Sequence, residues 1–304
     1  MKVENETMTY QTILYEADGP IATITLNRPE ALNAIVPPMP DELAAALAEA
    51  NADAAVRVII LEGAGDSFCA GFDFGGNLEN FSGWGLPGAQ EAWDPGRDMM
   101  LVTSPFQGPV PKFMNIWRSP KPVIAKIHGW CVGGGSELAL LADLVIASDD
   151  ARLGTPYSRV WGCHLTGMWI YRLGLTRAKR YALTGDSITG KEAAEIGLIN
   201  FSCPLEDLDD QTWYWAERMA RIPSSQLAAM KLITNQAFDN MGLQSTQHLG
   251  TILDGYMRNT PEAKEFVRRA QEEGVSAAVA ERDAPFGDYS QGEPEMKPLR
   301  DKKG

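Results

Sequence analysis

The sequence predicts an α/β fold whose C-terminal third is helical. Three observations carry this expectation. Short β-branched runs, VIIL at 58–61, VIAKI at 123–127 and LVIA at 144–147, read as buried strands. Between the last two lie three consecutive glycines and a helix-forming segment at about 135–142, so strand, tight turn, helix and strand follow in order. Beyond residue 175 the apolar pattern turns helical.

Taken in order, the runs at 10–15 and 21–26 flank Ala17-Asp18-Gly19-Pro20 and read as a β-hairpin. DELAAALAEAN at 41–51 is a short helix, and the strand at 58–61 ends in Gly63-Ala64-Gly65. Residues 74–112 are dense in Gly, Pro and Trp and read as a long inserted loop. Thr189-Gly-Lys-Glu192 is a capping box, in which hydroxyl and carboxylate satisfy the free N–H groups of a helix start. Thr260-Pro261 places an N-cap before a Pro at the first helical position. Helices are expected at about 206–221, 225–238, 245–257, 261–271 and 275–283, followed by a polar tail.

Composition narrows the function. With 27 basic against 40 acidic residues, the net charge of −13 lacks the basic footprint of a nucleic-acid binder. No uncharged apolar run reaches membrane-spanning length, and the N-terminus lacks an apolar signal core. Cys69, Cys131, Cys163 and Cys203 form no CxxC pair and read as reduced thiols of a cytoplasmic protein. Three unclustered histidines argue against a metal site.

The glycine run belongs to CVGGGSELALLADLVIASD at 131–149. It is not GxGxxG, GxxxxGK[ST] or GxSxG, so dinucleotide, phosphate-loop and serine-hydrolase readings fail. What remains is either a tight packing turn or a helix start whose free N–H groups face a developing negative charge. SFCAGFD at 67–73 is a second small-residue turn after another buried strand, and two such turns can each supply one N–H to a shared oxygen.

Together with ITLNRPEALNA at 24–34, LTGDSITGKEAAEIGLIN at 183–200 and GVSAAVAERDAPFGD at 274–288, these turns give the chain its resemblance to the crotonase superfamily, the enoyl-CoA hydratase/isomerase family. The resemblance spans about 10–288. It implies a spiral of ββα units over 1–205, a helical trimerisation region over 206–288, and a polar tail over 289–304. It implies an acyl-CoA thioester substrate, with CoA as part of the substrate and no separate cofactor, and a homo-oligomer that is a trimer or a dimer of trimers. The thioester oxygen would sit between the N–H groups of Phe72 and Gly134, as an oxyanion hole. Ala31, Leu32, Ala70 and Asp73 would lie along the CoA and substrate path, with Arg28 and Arg57 as candidate phosphate partners.

Glu137 is the expected acid/base residue. Twenty residues on, where the family's hydratases carry a second glutamate, stands Tyr157, a poor base but a competent hydrogen-bond donor. The nearest acids, Asp149 and Asp150, lie at a strand end. His164, in the bulky 160–171 segment, is a candidate acid/base or polar anchor. The expected function is enoyl-CoA hydration or isomerisation in lipid-like catabolism. Single-glutamate chemistry (isomerisation, decarboxylation or C–C hydrolysis) and non-catalytic acyl-CoA binding are the alternatives.

Overall fold

A computed structural model of the protein describes residues 9–73 and 108–289, together with Met100 and Ser104. The Trp-bearing part of the expected 74–112 loop and the tail beyond Tyr289 lie outside the described residues.

Two ladders of strands run through the α/β body. β1 (Ile13–Asp18), β2 (Ile21–Leu26), β3 (Val58–Gly63), β4 (Val123–Ile127), β6 (Leu144–Ser148) and β9 (Phe201–Cys203) form one sheet in the order β1-β2-β3-β4-β6-β9. Only its first pair is antiparallel. The smaller sheet holds β5 (Trp130–Val132), β7 (Arg152–Gly154) and β8 (Ser187–Thr189). Single parallel bridges, Ile35 to Phe72 and Cys69 to Cys131, carry this second ladder back to the earlier turns of the chain. Each turn therefore contributes to the large sheet, then to the small ladder, then to a helix, which is the expected ββα spiral.

Burial on both faces explains the continuous apolar strands. Val58 and Ile60 pack with Ile124, Ile146 and helix residues Leu208, Ala216 and Ala220 on one face. Ile59 and Leu61 face the main core on the other. Helix α1 (Met39–Ala52) sends Met39, Leu43, Ala46, Leu47 and Ala50 inward at helical spacing. Its Glu42 accepts from the Gln11 and Thr12 N–H groups at 2.7 and 2.8 Å, which fixes the entry to β1.

Among the described residues the further helices are α2 (Pro109–Arg118), α3 (Gly134–Ala139), α4 (Met168–Thr184), α5 (Gly190–Glu195), α6 (Leu208–Ala220), α7 (Ser224–Asn240), α8 (Leu243–Met257), α9 (Pro261–Glu272) and α10 (Val275–Asp283). The capping box opens α5, and the Thr260 hydroxyl accepts from the Ala263 N–H at the start of α9.

Three expectations need correction. Residues 109–112 are not loop but the first turn of α2, where Pro occupies the helix start that tolerates it. The hairpin turn is two residues, not four, because Ala17 and Asp18 pair with Ala22 and Ile21, and Gly19 takes a φ of +56°. Helix begins at Met168, before residue 175, and breaks locally at Gly174.

The glycine run meets the second small-residue turn. A Cβ on Gly135 would lie 2.3 Å from the Cys69 carbonyl oxygen, backbone that cannot yield. What approaches the glycines closely is thus the other turn of the protein itself. Gly135→Ala should lower stability by about 1–3 kcal/mol and separate the two turns, so thermal unfolding and steady-state turnover should fall together.

Arg159 ties the C-terminal segment down. Its guanidinium donates to Asp283 at 3.0 Å and to both oxygens of Asp288 at 2.5 and 2.8 Å. All three side chains are at least nine-tenths buried. Arg159→Ala would strand the buried Asp288 carboxylate and leave Asp283 to Arg282 alone, and should cost about 3–5 kcal/mol, read as a lower denaturant midpoint.

Candidate active site

Leu32, Ala70, Phe72, Gly134, Glu137 and Tyr157 converge on one cavity of about 350 Å³. Gly134 is the first residue of α3, so its N–H has no acceptor within the helix. Phe72 pairs with Ile35 through its neighbours: the Ile35 N–H donates to the Gly71 carbonyl and the Asp73 N–H to the Ile35 carbonyl. In such a parallel bridge the N–H of Phe72 points away from Ile35. A Cβ on Gly71 would touch the Gly134 nitrogen at 3.2 Å, so the two backbones adjoin. The space above the Gly134 α-carbon holds the Phe72 ring and Ile35.

Asn33 sets the first wall. Its side chain donates to the Ala64 and Ser67 carbonyls, both at 2.8 Å, and accepts from the Arg28 N–H at 2.8 Å. This clamps the 28–35 turn onto the end of β3. Arg28 itself pairs with Asp73 at 3.1 Å and donates to the Ala34 carbonyl at 2.6 Å. Arg28, Ala31 and Asp73 do not line the cavity, and Arg57 caps the end of α6 through the Ala220 carbonyl.

Glu137 has 1% of its surface exposed, yet each carboxylate oxygen is doubly engaged. Oε2 accepts from the Thr166 N–H at 2.9 Å and from the Thr166 hydroxyl. Oε1 accepts from the Tyr157 hydroxyl at 2.6 Å and contacts His164 Nδ1 at 3.2 Å. Burial pushes the carboxyl up, but the His164, Thr166 and Tyr157 contacts outweigh it and hold Glu137 below the usual carboxylate range. Burial, then the Glu137 charge, pushes the Tyr157 phenol well above its ordinary value. At neutral pH the site holds one carboxylate and one neutral phenol.

Local structure fixes these groups. Tyr157 rides on a 3-10 turn (Pro156–Arg159) anchored by the Arg159 ion pairs. Gly162, with φ +129°, lets the chain fold back over that ring, since a Cβ there would lie 2.8 Å from the Tyr157 Cβ. His164 lies beside Glu137 but behind Tyr157, outside the cavity lining. The bulky 160–171 segment walls the cavity with Val160, Trp161 and Leu165, and Trp161 also meets Phe266 edge-on at 5.4 Å, with Ala263, Ala270 and Ala278 around it.

The sequence reading missed Thr166, the donor to Oε2, because a Thr ahead of a helix reads as an ordinary cap. It also missed Asp254 and Arg258, which line the cavity from α8 as an ion pair at 3.1 Å. Helical periodicity in α8 marks them only as polar positions. Asp149 is half-buried and Asp150 exposed, and neither lines the cavity.

Comparison with known proteins agrees with this architecture. Residues 16–289 match the family model described as enoyl-CoA hydratase/isomerase. A probable enoyl-CoA hydratase of Rhodobacter capsulatus is 35% identical over 77% of this chain and 84% of its own length. The 1,2-epoxyphenylacetyl-CoA isomerase of Escherichia coli is 31% identical over 90% of this chain and 97% of its own. The crystal structure of an enoyl-CoA hydratase from Mycobacterium smegmatis superimposes with a TM-score of 0.85 at 43% identity, covering 93% of this chain and 97% of that one. The chain belongs to the enoyl-CoA hydratase/isomerase family.

Proposed function

We propose that the cavity binds an acyl-CoA thioester with its carbonyl oxygen between the N–H groups of Phe72 and Gly134, and that this enoyl-CoA hydratase/isomerase-type enzyme stores the transferred proton on Glu137. One observation carries the reading: a buried, ionised carboxylate and a neutral phenol share an apolar cavity with two adjoining backbone turns. Donors preorganised for the thioester oxygen would lower the cost of the enolate, and removing one such donor typically costs about 10²–10³ in rate. The acyl group would extend past Tyr157 toward Trp161, Leu165 and Phe266. Leu32 and Ala70 would border the pantetheine arm, with Arg28, Ala31 and Asp73 framing the entry. CoA enters as part of the substrate, so the proposed chemistry invokes no cofactor.

A second reading, single-glutamate chemistry such as isomerisation, decarboxylation or C–C hydrolysis, is favoured by the phenol at the register of the second carboxylate. A panel of CoA thioesters followed by mass detection separates the two. Loss of turnover on Glu137→Gln should be about 10²-fold or more, with acyl-CoA affinity by calorimetry nearly unchanged. Equal turnover of wild type and Glu137→Gln would remove Glu137 from the mechanism.

No helix among the described residues is long and apolar enough to cross a membrane. The four thiols are free, which fits the expected cytoplasmic setting. We also assign residues 206–288 a role in assembly. Leu227 and Phe238 turn partly inward, and Phe238 stacks on Trp117 at 5.8 Å. Met230, Leu232 and Ile233 of α7 and Leu249, Leu253 and Tyr256 of α8 remain exposed. Such a surface fits contact with further copies of the chain. Light scattering should give a trimer or a dimer of trimers, and a stable monomer at micromolar concentration would refute the assignment.

A further inference from the structure

We propose that Tyr157 is the group that exchanges a proton with the substrate, passing it to Glu137, while His164 and Thr166 act as positioning residues. The inference rests on the acyl-CoA reading above and deepens it.

A carboxylate has about four acceptor sites. The Thr166 N–H and hydroxyl occupy Oε2, and Tyr157 and His164 occupy Oε1. Glu137 therefore reaches the substrate directly only by giving up one of these contacts. The Tyr157 oxygen donates once, to Glu137, and meets His164 Nδ1 at 2.8 Å, which leaves it a second lone pair. Tyr157 also lines the cavity, whereas His164 does not.

Oε1, the phenol oxygen and Nδ1 form a triangle with sides of 2.6, 2.8 and 3.2 Å. If Nδ1 were bare, the phenol would be the only donor among three atoms, and one short contact would join two acceptors. The triangle is satisfied when Nδ1 carries hydrogen and the phenol proton points to Glu137. His164 Nε2 is buried and, among the described residues, has no partner, so a hydrogen there would be an unsatisfied buried donor, and the nitrogen holds a lone pair. The imidazole thus orients the phenol and takes no part in the proton's path.

For hydration the relay balances. A water O–H bond breaks and its proton bonds to the Tyr157 oxygen. The phenol proton moves to Glu137 Oε1. The hydroxide oxygen bonds the acyl β-carbon, and the double-bond pair moves onto the thioester oxygen. The stored proton then returns through Tyr157 to the α-carbon as the enolate collapses. One water is added, and both side chains are restored without a second carboxylate.

Nitrogen NMR of protein labelled with ¹⁵N-histidine, assigned with His164→Gln, should show the Nδ1–H tautomer at His164. An Nε2–H tautomer overturns the relay, because Nδ1 would draw the phenol proton away from Glu137. This measurement needs no substrate.

With crotonyl-CoA and cinnamoyl-CoA as probes, Tyr157→Phe should lose at least about 10²-fold, within a few-fold of Glu137→Gln, and the double variant should be no worse than either. A Tyr157→Phe enzyme that keeps more than a tenth of wild-type turnover while Glu137→Gln does not overturns the relay but leaves the acyl-CoA reading standing. If the wild type leaves both probes and the wider thioester panel unchanged, that reading fails and the tautomer alone decides the relay.

Thr166→Val removes one donor from Oε2, so the Glu137 carboxyl rises and the acid limb of kcat/KM moves to higher pH. The other titratable groups that touch this carboxylate or line its cavity are Tyr157, Cys163, His164, Asp254, Arg258, Arg282 and Tyr289, and the substitution replaces none of them. Thr166→Ser should restore the limb. A loss of rate with an unmoved limb would reduce Thr166 to packing and overturn its assignment.

Discussion

A carboxylate sealed from water governs the rest of this structure. Removing Glu137 from solvent costs several kcal/mol, and its charge survives only if protein donors replace the lost water. Each hydrogen bond to a charged group returns about 1.5–3 kcal/mol, so three or four of them are of the required size. Thr166, Tyr157 and His164 supply them from the two segments that follow β7. The site is therefore only as rigid as the 155–167 stretch that carries its donors.

That stretch has little regular structure of its own, and the surrounding elements hold it. Gln247 of α8 donates to the Thr166 carbonyl at 3.0 Å, and α8 crosses at Gly250, where a Cβ would lie 2.5 Å from the His164 carbonyl oxygen. The buried Arg159 ion pairs hold the 3-10 turn of Tyr157, and the Phe286 ring lies 3.8 Å from that guanidinium. Arg172, partly buried, donates to the Leu140 carbonyl at 3.0 Å and so closes the far end of the α3 segment. Burial lowers its pKa to about 10, with Asp143 opposing, so it remains cationic at neutral pH beside those carbonyls. The helical C-terminal third thus holds the 155–167 stretch through its inner residues, while apolar side chains of α7 and α8 stay exposed on its outer face.

Legibility in the sequence followed the length and locality of each signal. Strands at 58–63, 123–127 and 144–148, the capping box at Thr189 and the helix over Val275–Asp283 have strong local patterns. Three-residue strands such as β5, β7 and β8 do not, because their pairing is decided by neighbours far along the chain. The turns at Phe72 and Gly134 and the acid at Glu137 were readable because several motifs pointed to them jointly. Thr166 was not, since its partner lies 29 residues earlier and nothing local marks a carboxylate donor. Leu32 and Ala70 could be placed at the cavity by the motif, but the mutual pairing of Arg28 and Asp73 needed the fold.

Replacing a second carboxylate by Tyr157 changes the electrostatics of the whole cavity. Two buried carboxylates at this separation would oppose each other's ionisation and force one to hold a proton. A phenol avoids that conflict: it remains neutral, and its hydroxyl stabilises the one charge that is left. A single anion needs fewer compensating groups, so the remaining wall can be apolar, as Val132, Val160, Trp161, Leu165 and Phe266 make it. The larger side chains of the 160–171 segment then fit the same logic. They line the apolar side of the cavity, beside a carboxylate whose donors are already in place.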